Sequence, residues 1–425
     1  MGPEVQQTAE EHDSTTSRDD EKQLPAPPDG GSRAWLHVFF CHMVFFNTWG
    51  VTNSYGVFQQ YYTQTLDSAP SSIAWIGGIQ MFLLFFGGVF SGRATDAGYF
   101  RHCFFAGVGL QVLGMMLASL ASRYYQILLS QGVCVGLGNG LVFTPALSVT
   151  SSYFKRRRAL AVGISAAGAA TGGMVYPATV NSLLLRSEHL GYPWTMRIFG
   201  FIMLATYIPP MVGYRPYLPP RSTGPLVDRF AFREKPFVFF TAGMFFAFWG
   251  LYMSFFYLGI FARETLHIGD SLNLLIILNG VGVVGRILPG LIGERFTGIT
   301  NMTILFAIIC SLCMYCWSAI HSAPGLYVWV VVNGLFAGGM QALLPTLATR
   351  QAPEPDKVGT WTGMVLTTVS FACLTSAPIQ GALIQADGGS YLGAQMFSAS
   401  SIMLAAVCLT LSRWSRVGSV LWVKV

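Results

Sequence analysis

The amino-acid sequence predicts an all-helical (all-α) integral membrane protein with twelve membrane-spanning helices. Hydrophobic residues make up 52% of the chain and charged residues only 10%, against roughly a quarter charged residues in a soluble domain. The apolar residues form twelve stretches of about 20 residues, and none of the 19 acidic residues lies in the middle of one. A helix of about 20 residues crosses the hydrocarbon core with its backbone hydrogen bonds satisfied internally. We therefore exclude a soluble globular fold.

The chain divides into five segments. Residues 1–34 are acidic and proline-containing, which predicts a disordered cytoplasmic tail. Residues 35–213 and 236–412 each hold six spans, and we expect them to form an N-terminal and a C-terminal six-helix bundle. A polar, proline-rich stretch, 214–235, links the two, and 413–425 is a second cytoplasmic tail. The predicted spans are 35–58, 73–93, 102–121, 125–147, 158–184, 195–213, 236–261, 271–293, 301–320, 325–348, 358–385 and 391–412.

The two halves resemble each other at a separation of about 200 residues. Such weak internal symmetry is typical of transporters built from structural repeats, and an enzyme hypothesis does not explain it. The matching positions are Pro145 with Pro345, Gly163 with Gly363, Pro177 with Pro378, and the Gly92 to Asp96 spacing with Gly290 to Glu294.

Lysine and arginine residues predict the orientation, because they stay preferentially on the cytoplasmic side. With the N-terminus inside, twenty of the 25 lysines and arginines fall on the inner side and four on the outer side. Both termini are therefore expected to be cytoplasmic. The net charge of +6 then reflects topology, and we expect no nucleic-acid partner.

A short charged segment between spans 2 and 3 is the first functional candidate. A carboxylate that faces a helix N-terminus and basic side chains can hold two bundles together until a conformational change releases it. An ordinary loop with solvated charges is the alternative, but the second half repeats the pattern. The residues assigned to this gating loop are Gly92, Asp96, Gly98 and Arg101, with Glu294 and Arg295 in the second half.

The gating loop resembles the signature of the major facilitator superfamily. Asp29 to Trp35 (DGGSRAW), together with Tyr153 to Gly163 (YFKRRRALAVG), resembles the paired signatures of the monocarboxylate-porter branch in its fungal form. The resemblance covers nearly everything after the tail. It implies twelve helices, alternating access and solute transport without ATP hydrolysis, so that we expect a plasma-membrane transporter with no enzymatic activity, no cofactor and no metal site.

The sequence departs from this branch at two informative positions. Well-known animal members carry a lysine in helix 1, and an aspartate four residues before an arginine in helix 8, for proton and carboxylate binding. Here Arg286 keeps the arginine, but Asn53 and Gly282 occupy the other two positions. The resemblance therefore does not imply proton-coupled lactate transport.

Arg286 is the principal substrate-binding candidate, because an ionised side chain within a membrane helix is costly unless it faces a cavity or a partner. Its guanidinium can bind an anionic group through two parallel hydrogen bonds. Alternatively, the side chain bonds to backbone carbonyls or extends to the interface. Uncharged polar residues inside the spans can line a cavity or tie helices together. The further substrate-binding candidates are Asn53, Tyr55, Asn139, Tyr176 and Asn279.

These observations predict a secondary active transporter of an organic, anionic solute, whose partners are that solute and the lipid bilayer. His37 and His42 are the histidines well inside a span, so proton coupling stays open. An efflux transporter of a bulky secondary metabolite is the alternative within the same fold, favoured by the aromatic seventh helix. A non-transporting membrane sensor is the alternative outside transport, and it would normally carry a large signalling domain.

Overall fold

The computed structural model describes residues 27–180, 182–183, 191–220, 224–293, 298–354 and 357–418. These residues form helices joined by short connections, with no strand among them, which confirms the predicted all-helical fold. The helices are α1a (Gly31–Asn53), α1b (Tyr55–Thr65), α2 (Pro70–Asp96), α3 (Phe100–Ala118), α4 (Tyr124–Ser152), α5 (Arg158–Val180), α6 (Gly191–Gly213), α7a (Lys235–Phe256), α7b (Leu258–Glu264), α8 (Leu272–Ile292), α9 (Ile299–Trp317), α10 (Ala323–Thr349), α11 (Val358–Ala386) and α12 (Leu392–Val417).

Eleven of these helices, α2 to α6, α7a and α8 to α12, are long and apolar enough to cross a membrane. Helix α1a has 23 residues and is long enough to span, but it lies outside this set. The polar side chains of His37, His42 and Asn47 lower its hydropathy. His37 and Asn47 are buried against neighbouring helices, so this polarity faces the protein and not the lipid.

The first and seventh spans are each broken near their outer ends, which periodicity alone does not predict. The break between α1a and α1b falls at Ser54, whose hydroxyl donates to the Gly50 carbonyl at 2.6 Å, and such back-bonding bends helices. The seventh span is interrupted at Tyr252, within α7a, and again at Tyr257, between α7a and α7b. Gly56 of α1b packs directly on the carbonyl oxygen of Phe255. The broken ends of the two spans therefore meet at the predicted outer side.

Two helix pairs join the halves along their length: α2 with α11, and α5 with α8. Glycines allow this close approach, because a Cβ at Gly78 would lie 2.6 Å from the Leu374 carbonyl oxygen. A Cβ at Gly290 would likewise lie 2.8 Å from the carbonyl oxygen of Ala159, near the inner end. The halves thus contact each other near both ends of the molecule.

Helix α5 is enclosed by two neighbours, because its small residues allow other helices to approach closely. Gly168 and Gly172 pack against the backbone of α1a, and Gly163 and Gly173 pack against α8. The small-residue surface is therefore a packing device that brings α1a and α8 close to a common helix. This arrangement places side chains from both halves around one central space.

Several helix ends differ from the predicted ones at the inner side. Helix α2 continues to Asp96 and α3 begins at Phe100, so Gly92 lies within a helix and the loop is only three residues long. Helix α1a begins at Gly31, inside the predicted tail, and residues 1–26 lie outside the described residues. Helix α12 continues to Val417, beyond the predicted boundary at 412.

The extension of α12 has a local cause in two arginine contacts. Arg413 Nε donates to Asn301 Oδ1 at 2.5 Å, and Arg416 Nη2 donates to Gln351 Oε1 at 2.6 Å. These bonds attach the last turns of α12 to the inner ends of α9 and α10. Arg413 and Arg416, which the sequence analysis places in a cytoplasmic tail, are therefore part of helix α12.

The linker 214–235 is docked on the inner end of α11. Asp228 Oδ2 accepts a hydrogen bond from Trp361 Nε1 at 3.0 Å, and the Thr360 hydroxyl donates to the Pro225 carbonyl at 2.8 Å. The bond from Trp361 holds the pKa of Asp228 below its ordinary value. The linker between the two halves is thus hydrogen-bonded to the start of α11.

Candidate functional site

A central cavity lies between the two halves, with an empty volume of about 320 Å³. Its walls come from α1a, α2, α4 and α5 on one side and from α7a, α8 and α10 on the other. Five aromatic rings, one cation and one amide line it. The lining residues are Phe45, Trp49, Phe85, Phe143, Ala166, Ala169, Phe248, Arg286, Gln341, Ala342, Leu344 and Pro345.

Arg286 supplies the cavity's charge. Its side chain is 2% exposed, and Nη2 donates to Oε1 of Gln341 at 2.6 Å. The partner is neutral, and none of the described lining residues is acidic. A guanidinium in a low-dielectric space with no carboxylate beside it attracts an anion strongly. The Arg286 side chain lies in the central cavity and is buried there.

Two glycines make the space that the guanidinium occupies. A Cβ at Gly282, one turn before Arg286 on α8, would lie 2.6 Å from its Nη1 atom. A Cβ at Gly338 on α10 would lie 3.1 Å from the same atom. Any larger residue at position 282 would push the guanidinium aside, so glycine there fixes the position of the charge.

Aromatic contacts form the rest of the wall and cross between the halves. Ring centroids of Trp49 and Phe143 are 5.7 Å apart within the N-terminal half, and those of Phe85 and Phe248 are 5.9 Å apart across the interface. Trp49 also stacks on Tyr252 of α7a, at 6.4 Å and an interplanar angle of 11°. The surface beside Arg286 therefore suits a flat, apolar molecular body.

Asn53 and Asn279 meet across the interface, outward of the cavity. Asn53 Nδ2 lies 3.5 Å from Asn279 Oδ1, and Asn53 Oδ1 has no partner among the described residues. Asn279 packs on Gly173, where a Cβ would contact its amide. Asn279 precedes Arg286 by two turns of α8, which is about 10 Å. The two amides are brought together, but neither lines the cavity.

The other three candidates are separated from Arg286. Tyr55 donates its hydroxyl to a backbone carbonyl of α2 at 2.7 Å, and Tyr176 donates to Asn47 Oδ1 at 2.7 Å. Both bonds tie helices of the N-terminal half together. Asn139 is fully buried, and neither polar atom of its amide has a partner among the described residues.

Asp96 and the start of α11 meet at the inner end. A Cβ at Gly359 would lie 3.7 Å from Asp96 Oδ2, so the carboxylate faces the first turn of α11 from the opposite half. A helix N-terminus favours a negative charge there. Arg101 is exposed at the start of α3, and Glu294 and Arg295 lie outside the described residues.

The two signature segments contact each other on the predicted inner side. Asp29 Oδ1 accepts hydrogen bonds from the backbone N–H groups of Lys155 at 2.6 Å and Arg156 at 2.8 Å. The Asp29 N–H in turn donates to the Tyr153 carbonyl at 3.0 Å. The bonds from the loop amides hold the pKa of Asp29 below its ordinary value. The residues before α1a are thereby fixed to the connection between α4 and α5.

A family model described as Major Facilitator Superfamily matches residues 38–377. The chain belongs to the major facilitator superfamily. The predicted transporter function and fold are thus confirmed at the level of the superfamily.

Fungal relatives resemble this major facilitator transporter over most of its length. An MFS-type transporter of Gibberella zeae is 41% identical over 406 residues, covering 95% of this chain and 91% of the relative. The aspyridones efflux protein apdF of Emericella nidulans is 35% identical over 387 residues, covering 89% and 77%. The human organic anion transporter MFSD10 matches in structure, with a TM-score of 0.63 at 12% identity over 90% of this chain and 100% of that one. This last likeness concerns the fold alone.

Several lining residues of the transporter were not identified from the sequence. The sequence draws attention to the aromatic residues of the seventh helix. Of these, Phe248 lines the cavity, and the other lining rings come from the N-terminal half. Gln341 does not stand out in the sequence, because several spans contain amide side chains. Its place one turn before the helix-interior Pro345 was the available signal, but sequence alone does not show which way a helix face turns.

Neither histidine in the first span of the transporter lines the cavity. His37 Nδ1 donates to the Arg33 carbonyl at 2.8 Å, and its Nε2 accepts from the Arg215 N–H at 3.3 Å. His42 Nδ1 donates to the Ile164 carbonyl at 2.9 Å, while Nε2 lies 3.0 Å from the Thr171 hydroxyl. The His37 ring thus joins α1a to the start of the linker, and the His42 ring joins α1a to α5.

Proposed function

We propose that this transporter exports an acidic organic solute with a flat, ring-containing body. The observation that carries the proposal is the buried Arg286, with a neutral partner, in a cavity walled by aromatic rings. The relative named as an aspyridones efflux protein supports outward transport.

Charge recognition is assigned to Arg286. Its guanidinium carries five N–H donors, of which the bond to Gln341 uses one. A carboxylate or similarly delocalised anion accepts two of the others in parallel, and the ring-bearing body then packs against Trp49 and Phe143. Each favourable ring contact adds about 0.5–1.5 kcal/mol beyond area burial. A neutral ester of the same solute would leave the buried charge uncompensated.

Alternating access uses the contacts at the two ends of the interface. We propose that residues 35–213 and 236–412 act as two bundles, and that Asp96 leaves the start of α11 when the inner side opens. Asn53 and Asn279 separate when the outer side opens, and their amides then bind polar groups of the departing solute. Asn139 offers a further amide on this route, whereas Tyr55 and Tyr176 position the helices around it.

We also propose membership of the monocarboxylate-porter-like branch and residence in the plasma membrane with both termini cytoplasmic. The contact between Asp29 and the loop amides of Lys155 and Arg156 supports the branch. The inner-side excess of basic residues supports the orientation. Asn301 lies in a glycosylation sequon on the predicted inner side, and a sugar on it would contradict this topology.

Proton coupling is proposed for His42. Its Nε2 lies beside the Thr171 hydroxyl, which also donates to the Gly168 carbonyl at 3.1 Å. A protonated ring can therefore donate to the hydroxyl oxygen without losing either bond. We expect the efflux rate of the wild type to depend on an imposed pH gradient, and the rate of His42→Gln not to depend on it. Wild-type efflux that is independent of the gradient would contradict proton coupling but not the proposed export.

Transport in inside-out vesicles tests the proposed function. The solutes are a ring-containing carboxylic acid, its methyl ester and a branched aliphatic acid of similar volume. We expect accumulation of the ring-containing acid, weaker accumulation of the aliphatic acid and none of the ester above empty vesicles. Equal accumulation of acid and ester would contradict the charge-recognition proposal, and accumulation only in right-side-out vesicles would contradict export.

A further inference from the structure

A second groove lies on the predicted outer side, away from the central cavity. It runs between the end of α3 and the start of α4, with an empty volume of about 610 Å³. Its walls are aliphatic apart from one amide and one hydroxyl, and three of its leucines are strongly exposed. The lining residues are Leu117, Leu120, Ala121, Gln126, Leu129 and Ser130.

The groove has a structural origin in how α3 and α4 diverge. They pack closely at Gly114, where a Cβ would lie 2.8 Å from the Ser130 carbonyl oxygen. From there the connection 119–123 widens the gap toward the outer end. The segment Leu128–Cys134 of α4 is a π-helix, and such bulges often occur at functional sites. The result is a wedge that is narrow toward the membrane centre and wide at its surface.

Two cations stand at the wide end. Arg197 of α6 donates from Nε to the Ser119 hydroxyl at 3.3 Å, and its guanidinium lies 5.1 Å from the ring of Trp194. Arg123 begins α4 beside Gln126, whose Oε1 accepts from the Arg123 N–H at 3.1 Å. The sequence places only four lysines or arginines on the outer side. Two of those four therefore flank one apolar groove.

We propose that this groove binds one phospholipid of the outer leaflet, with its phosphate on Arg197 and Arg123 and an acyl chain along Leu117 and Leu129. A phospholipid has an anionic head group at the membrane surface and a hydrocarbon chain below it. The groove matches this arrangement, because it is cationic at its rim and aliphatic inside. Trp194 and the exposed Tyr125 mark the interfacial level, where aromatic side chains gather. The guanidinium has five N–H donors, of which the bond to Ser119 uses one.

Native mass spectrometry of the full chain in detergent with added palmitoyl-oleoyl phosphatidylglycerol tests the site. We expect Arg197→Gln and, separately, Leu129→Trp, which fills the groove, each to lower the fraction carrying one lipid by about threefold or more. The matched controls are Arg263→Gln, another outer-side arginine, and Leu137→Trp, an exposed leucine two turns further along α4. Both controls should retain lipid as the wild type does.

Two results would overturn the proposal. One is lipid retention by Arg197→Gln and Leu129→Trp at the wild-type level, and the other is an equal loss in the controls. Glycerol phosphate, which lacks acyl chains, should not displace the lipid at the same concentration. Displacement would show that the arginines at the rim bind phosphate without a contribution from the groove, which contradicts the proposal. A thermal-unfolding scan of each variant without lipid identifies any that fails to fold.

Discussion

Arg286 Nη2 donates a 2.6 Å hydrogen bond to Oε1 of Gln341, and this bond joins α8 to α10 inside the central cavity. An amide satisfies one donor of the guanidinium but leaves its charge intact. Because no acidic residue appears among the described lining residues, the charge is available to a solute. Gln341 therefore holds the Arg286 guanidinium in place without neutralising the charge that an anionic solute would bind.

Replacing Gln341 with glutamate tests whether the neutrality of the partner matters. The carboxylate would stand at hydrogen-bond distance from the guanidinium and neutralise it, since charge-assisted pairs are short and strong. We expect Gln341→Glu to unfold at a temperature equal to or above that of the wild type and to lose anion transport by about tenfold or more. Gln341→Leu is the control that removes the bond without adding charge, and it should lower the unfolding temperature. Normal anion transport by Gln341→Glu would contradict the role assigned to the charge.

Gly282→Ala tests the position of the charge. The added methyl group would lie 2.6 Å from Nη1 of Arg286, so the guanidinium has to move. We expect transport of the anionic solute to fall by about tenfold while the folded protein keeps its yield and stability. The matched control is Gly280→Ala on the same helix, where the new Cβ would meet only the Met174 sulfur at 3.2 Å. Equal transport by Gly282→Ala and Gly280→Ala would show that the position of the guanidinium does not affect transport of the anion.

Asp96→Asn separates gating from binding. The asparagine keeps the size of the side chain but removes the charge that faces the first turn of α11. We expect the maximal transport rate to fall several-fold with an unchanged KM, because Asp96 is remote from the cavity. Asp67→Asn, in the exposed connection between α1b and α2, is the control and should behave as the wild type. A raised KM with an unchanged maximal rate would mean that Asp96 acts on solute binding.

The Asp29 contact makes a prediction about pH. The loop amides lower the pKa of Asp29 from an ordinary value of 3.8, so its stabilising contribution is present above that value. It is lost only as the pH falls through the lowered pKa. We expect Asp29→Ala to reduce the unfolding temperature by the same amount throughout about pH 5 to 8. A penalty that disappears within that range would show that a different group titrates there.

Much of the fold follows from the sequence, because lipid imposes a length and a composition on each span. The two breaks at Ser54 and Tyr257 do not, since they depend on how α1b and α7b meet across the interface. The predicted ends of α2 and α12 were also too early. For α12 the reason is that contacts of Arg413 and Arg416 keep a charged segment helical as far as Val417.

The site was predictable in part for a similar reason. Arg286 stands out because a cation is costly in a membrane helix. Its partner Gln341 and the rings of Trp49 and Phe143 do not stand out, because amides and aromatic residues occur on every span. Which amides and rings line the cavity depends on the rotation of each helix about its axis, and only the packed structure specifies that rotation. Asn53 and Asn279, 226 positions apart, are brought together by the same packing.

The most direct test of a charge-recognising passage is transport of the ring-containing acid in inside-out vesicles by Arg286→Ala, beside Arg263→Ala as the matched control. Arg263 is an exposed outer-side arginine at the end of α7b, so its loss should leave transport unchanged. Arg286→Ala is predicted to retain the folded protein and to lose about 99% of acid transport, as expected for the loss of roughly 3 kcal/mol of charge-assisted binding. Acid transport by folded Arg286→Ala at the rate of Arg263→Ala would contradict the account.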